Sequence, residues 1–153
     1  MVQRLCGAFL ALFVIIAVAL PAQAKVYDSL SFDDLFDIFD KSGISFGVKD
    51  GWIKILNGPY VGLNGCDNNK NCTDIIITIT LTDVFPTLEQ VNKWNQVYKI
   101  PEASVNSDGT LLLEMYLITD GITDDNILET TRWFWDVVAE EMKFWGDALR
   151  PSS

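Results

Sequence analysis

The side chains that could do chemistry in this chain are few: three cysteines, a surplus of carboxylates and a scatter of asparagines, with no histidine among 153 residues. Cys66 and Cys72 bracket the stretch GCDNNKNCT, a spacing that suits a metal clamp, a redox couple or a cross-link. A zinc site needs further Cys or His ligands, and no His exists to complete one. Redox pairs usually stand as C-x-x-C at a helix start, where the thiolate is stabilised, whereas these two lie in an Asn-rich loop ahead of a strand. Asp67, Asn69 and Asn71 imitate the first half of a calcium loop, but Cys72 stands where that loop needs Gly and Thr78 where it needs Glu. No metal and no cofactor is expected.

The compartment decides what the cysteines do. Arg4, the apolar run Cys6–Leu20 and the small-x-small ending Pro21-Ala22-Gln23-Ala24 read as a signal peptide cleaved after Ala24. The apolar run is shorter than the ~18–20 residues that a helical membrane span requires. Cys6 leaves with the signal, and the exported domain, residues 25–153, keeps only Cys66 and Cys72. In an oxidising space, with zinc and redox roles unsupported, a disulfide is the economical reading. The expected location is periplasmic or secreted, with no membrane association once the signal is cut. That domain holds all 21 Asp and Glu against 10 of the 11 Lys and Arg, a net charge of −11. Such a surface repels phosphate backbones, so nucleic acid is not an expected partner.

Catalysis would have to rest on carboxylates. The missing His removes Ser-His-Asp and Cys-His arrangements together. Asp33, Asp34, Asp37 and Asp40 fall on the polar side of a helical pattern, with the first two at the positive end of its dipole; this reads as a solvated face. Asp124 and Asp125 repeat the arrangement at a later helix start.

The elements that position these residues follow from period and punctuation. LSFDDLFDIFDKSG sets Phe32, Leu35, Phe36 and Phe39 at helical spacing, with Ser31 as cap and Gly43 as stop. Extended pieces ISFGV, WIKIL and YVGLN follow, separated by hairpin-type turns at Asp50-Gly51 and Asn57-Gly58-Pro59. DIIITITLT reads as a buried strand. Thr87 and Gln90 form a capping box for a second helix with Leu88, Val91, Trp94 and Tyr98 on one face. A hairpin turns at Ser107-Asp108-Gly109, and a final helix is expected over residues 124–149.

The stretch VNKWNQVYKIPEASVNSDGTLLLEMYLITDGITDDNI resembles the YbjN family, whose members bear the label of sensory transduction regulators. The resemblance rests on an N-x-W-N element (Asn92, Trp94, Asn95), a D-G turn (Asp108, Gly109), an L-E pair ending in Glu114, and a Gly121-Ile122-Thr123 entry to the last helix. Exported members tend to carry a paired-cysteine loop like that of Cys66 and Cys72. Where many members have an Arg after N-x-W-N, this chain has Val97, Tyr98 and Lys99. The resemblance spans roughly residues 30–146. It implies one α+β domain over residues 25–153, an antiparallel sheet covered by helices in the order α-β-β-β-α-β-β-α, similar to type III secretion chaperones. It carries over no catalytic residue.

The functional expectation is therefore a non-enzymatic protein-binding or regulatory module, whose partner is another protein or a second copy of itself. The alternative is a carboxylate-based hydrolase or small-ligand-binding protein. An enzyme of that kind should show a cleft lined by two or more carboxylates with raised pKa, an interaction module an exposed apolar patch. Glu114 can meet Asn92 and Asn95 only where the hairpin packs on the second helix, as a structural bond or as a binding site. On the last helix, Ile127, Thr131, Phe134, Val138, Met142 and Trp145 form one apolar stripe, widened on one side by Leu128, Trp135 and Ala139, and Trp133, Val137 and Phe144 form a second. One sheet cannot bury both. Either the first helix covers the second stripe or those three residues make the interaction surface.

Overall fold

Local hydrogen bonds start the helices. The computed structural model describes residues 24–68 and 70–148; residues 1–23 of the expected signal segment 1–24, Asn69 of the calcium-like run, and residue 149 of the expected last helix lie outside them. Ser31 accepts from the Asp34 amide while the Asp34 carboxylate accepts from the Ser31 amide, closing a capping box at the start of helix α1 (Phe32–Ser42). Gly43, at φ +73°, ends it in the left-handed conformation that only glycine adopts without strain. Helix α2 (Leu88–Val97) starts the same way, from Thr87 and Gln90. Thr123 caps α3 (Asp124–Glu140), accepting from the Asn126 amide.

The strands are β1 (Val26–Tyr27), β2 (Phe46–Lys49), β3 (Trp52–Ile55), β4 (Tyr60–Asn64), β5 (Asp74–Leu81), β6 (Glu102–Val105), β7 (Leu111–Ile118) and β8 (Ile122–Thr123). Six form one antiparallel sheet in the order β2-β3-β4-β5-β7-β6, and β1 pairs with β8 as a separate ribbon. The architecture is the expected α+β sheet with helices. The order differs from α-β-β-β-α-β-β-α: four strands, not three, lie between α1 and α2, because the Asp50-Gly51 turn closes β2 onto β3 as a complete hairpin ahead of β4. The β1–β8 ribbon is too short to leave a periodic signal.

Alternation along the strands sends one set of side chains into a single core. Ile53, Val61, Ile75, Ile77, Ile79, Leu111, Leu113 and Met115 are buried from the sheet side. Leu35, Ile38 and Phe39 of α1, Val91 and Trp94 of α2, and Ile127, Phe134 and Val138 of α3 meet them. Phe36, expected in the α1 face, is partly buried and packs edge-on against Phe46 with centroids 5.5 Å apart; Ile38 takes the deeper position. The other face of the sheet carries Trp52, Tyr60, Ile76, Leu112 and Tyr116, none of which joins the core.

The last helix is shorter than its pattern. After Glu140 the chain tightens into a 3-10 helix, Glu141–Ala148. A 3-10 helix advances ~120° per residue instead of ~100°, so a stripe drawn with α-helical spacing breaks there.

Candidate interaction surfaces

The N-x-W-N residues build a joint between α2, β6 and the 3-10 helix. Trp94 is fully buried; its indole N–H donates to the Pro101 carbonyl at 2.7 Å, and its ring stacks on Trp145 with centroids 5.0 Å apart. Tyr98 and Phe144 close the cluster at 4.4 and 5.3 Å from Trp94. Tyr98 donates its hydroxyl to Glu141 at 2.7 Å, and that carboxylate raises the phenol above its ordinary range. Asn95 pairs with a backbone: its amide N donates to the Ala103 carbonyl at 2.9 Å, and its amide O accepts from the Ala103 N–H at 2.7 Å. β6 is an edge strand, so the Asn95 side chain occupies hydrogen-bonding groups that would otherwise be open to another strand. Asn92 is exposed on α2.

Glu114 does not join them. Its neighbours in the ladder are Thr78 on β5 and Glu102 on β6, and it accepts from the Tyr116 hydroxyl at 3.1 Å, on the face away from the core. The hairpin packs on α2 through the β6 backbone and leaves the β7 carboxylate on the opposite side. The D-G turn is structural: Asp108 accepts from the amide and hydroxyl of Thr110 at 3.0 and 2.6 Å, which holds its carboxyl below the usual range, and Gly109 sits at φ +87°.

Cys66 and Cys72 are joined as a disulfide. Cys72 is buried and exchanges backbone hydrogen bonds with Leu30, while its carbonyl accepts from the Thr119 hydroxyl at 2.9 Å. The clip therefore holds the segment before α1, the start of β5 and the end of β7 at one point.

The second stripe of the last helix is divided. Trp133 is 46% exposed, Val137 is half-buried, and Phe144 turns into the Trp94 cluster because the 3-10 helix rotates it there. Trp135, expected to widen the first stripe, is instead 37% exposed and borders a hollow of about 180 Å³ with Ile44, Ile55, Leu56, Pro59 and Arg132. Periodicity missed this pairing because the hollow is completed by the β3–β4 turn. Two carboxylates, Glu102 and Glu114, stand opposite each other in the β6–β7 ladder, on the face away from the core. Hollows of about 560, 410 and 280 Å³ have at most one carboxylate each, Asp50 in two of them. In α1, Asp37 pairs with Lys41 at 2.9 Å. Asp34 is held below the usual range chiefly by the Ser31 hydroxyl, with Lys25 assisting.

Comparison with known proteins gives a family and a fold. The family YbjN, described as "Putative bacterial sensory transduction regulator", matches residues 63–140. No curated protein matches. Among solved structures, one described as YbjN, "a putative transcription regulator from E. coli", is similar with a TM-score of 0.57 at 17% identity, covering 80% of this chain and 97% of the other.

Proposed function

The chain belongs to the YbjN family, and on that premise we propose that it acts by binding protein, as a non-enzymatic regulatory or chaperone-like module outside the cytoplasm after loss of residues 1–24. The observation that carries this reading is the pair of indoles on the two flanks of α3, Trp133 and Trp135, about 200° apart around the helix, which stay 46% and 37% exposed. Exposed indoles are favoured anchors in protein interfaces because they bury large area at little entropic cost. The acidic surface argues that any regulation proceeds through protein and not through contact with DNA.

The test uses residues 25–153 in oxidised form as bait. Partner capture should be lost in Trp133→Ser plus Trp135→Ser while the melting temperature stays within a few degrees of the parent. Phe144 is kept, since its loss would open the Trp94 cluster. Capture unaffected by the double substitution would refute the assignment. Export is read independently, by an N-terminus at Lys25 on protein recovered from outside the cytoplasm.

A further inference from the structure

The geometry points to a second interface, independent of the α3 surface: the open face of the sheet takes a second copy of this chain, face to face, about a twofold axis running along the strands. The face is defined by register. One row across it reads Gly47, Lys54, Tyr60, Thr78, Glu114, Glu102 from β2 to β6. The adjacent row holds Trp52, Gly62, Ile76 and Tyr116. Tyr116 is 54% exposed, and Trp52, Tyr60 and Ile76 are half-buried without touching the core. Trp52 lies flat over Gly62, where a Cβ would stand 2.5 Å from its ring. The result is a low aromatic surface with one open hollow of about 280 Å³ where Trp52, Tyr60 and Thr78 meet Lys49 and Asp50.

Charge selects the occupant. The basic side chains of this face, Lys49 and Lys54, are on β2 and β3, and the acidic ones, Asp74, Glu114 and Glu102, on β5, β7 and β6. The whole chain carries −10, so it repels a copy of itself unless the contact face is itself complementary. A twofold axis along the strands between β4 and β5 maps β3 onto the partner's β7 and β4 onto its β5, keeping each row over itself. Lys54 then meets a partner Glu114, twice per dimer, and Trp52 meets a partner Tyr116. At the centre, Tyr60 comes over the partner's Thr78. The alternative axis, across the strands, would set Lys54 against Lys54 and is disfavoured.

Size sets the strength. Six strands at ~4.8 Å spacing and about five residues of ~3.4 Å give a footprint near 29 by 17 Å, on the order of 500 Å² per partner in projection. That is below the ~800 Å² per partner of a standard stable interface, so the dimer is reversible. Sedimentation velocity on oxidised residues 25–153, at concentrations up to the order of 0.1 mM, should show a monomer–dimer equilibrium. Lys54→Glu alone and Glu114→Lys alone should each weaken it by about ten-fold or more, since each turns both ion pairs into like-charge contacts. Mixing the two variants should restore the dimer as a heterodimer, because every Lys54–Glu114 contact is then again between opposite charges. Neither side chain lies in the core, and melting curves of both variants should match the parent. A chain that stays monomeric at the top of the range would overturn the proposal, as would a dimer indifferent to both reversals or a mixture that fails to reassociate. Dimerisation lost in Trp133→Ser would assign self-association to α3 and overturn it too.

Discussion

Replacing Trp94 should unlock the joint between α2, β6 and the 3-10 helix, and the size of the loss can be worked from its contacts. The side chain is fully buried, its N–H holds the Pro101 carbonyl, and its ring touches Tyr98, Phe144 and Trp145. Removing a buried Trp to Ala typically costs about 3–5 kcal/mol through lost transfer energy and a residual cavity. Trp94→Phe keeps most of the ring but leaves the Pro101 carbonyl without its donor, a loss of about 1–3 kcal/mol. Against the ~5–15 kcal/mol total of a single domain, the Ala variant should be marginal and the Phe variant measurably weakened. Urea unfolding followed by far-UV circular dichroism measures both. The Trp94–Trp145 pair, at 5.0 Å and 29°, should also produce an exciton band that disappears in either variant. Equal stability of Trp94→Phe and the parent would show that the indole hydrogen bond carries no net weight. A Trp94→Ala variant within about 1 kcal/mol of the parent would refute the placement of this residue in the core altogether.

Asn95→Asp should destabilise by about 1–2 kcal/mol in the same assay, because a carboxylate still accepts from the Ala103 N–H but no longer donates to its carbonyl; a neutral outcome would mean the β6 edge does not depend on this amide. Reduction of Cys66–Cys72 should cost about 2 kcal/mol for so short a loop, and hydrogen exchange should rise first at the amides of Leu30 and Cys72, which donate to each other's carbonyls; exchange rising elsewhere instead would contradict the clip. Burial, aided by the neighbouring Asp124 carboxylate, pushes the Tyr27 phenol up to about 12. The folded state therefore holds that proton more tightly than the unfolded one, and the stabilisation is complete below pH ~10 and lost as pH rises through about 12. Tyr27→Phe should flatten the alkaline limb of a stability-against-pH curve, and an unchanged limb would place the titration elsewhere.

What the sequence determines by itself is what acts within one turn of chain. Ser31 and Asp34, Thr87 and Gln90, and Asp108 and Thr110 are each two or three residues apart, so their hydrogen bonds are readable from spacing, and the structure contains all of them. The strand Asp74–Leu81 and the turn at Gly109 are legible for the same reason: β-branched residues and a left-handed glycine constrain the backbone locally. The Cys66–Cys72 link closes so short a loop that chain connectivity already brings the sulfurs near each other. Only the tertiary structure decided that β7 inserts between β5 and β6, and that placement sends Glu114 to the open face while Asn95 reaches the β6 edge. It also decided where α3 ends. Glu141 bonds Tyr98 across 43 residues and Trp145 stacks on Trp94, and these distant contacts hold Phe144 in the cluster, away from the line of Trp133 that an α-helical wheel draws. A wheel or an alternation counts residues along one element. Which face meets solvent depends on what packs from elsewhere in the chain, and no local period records that.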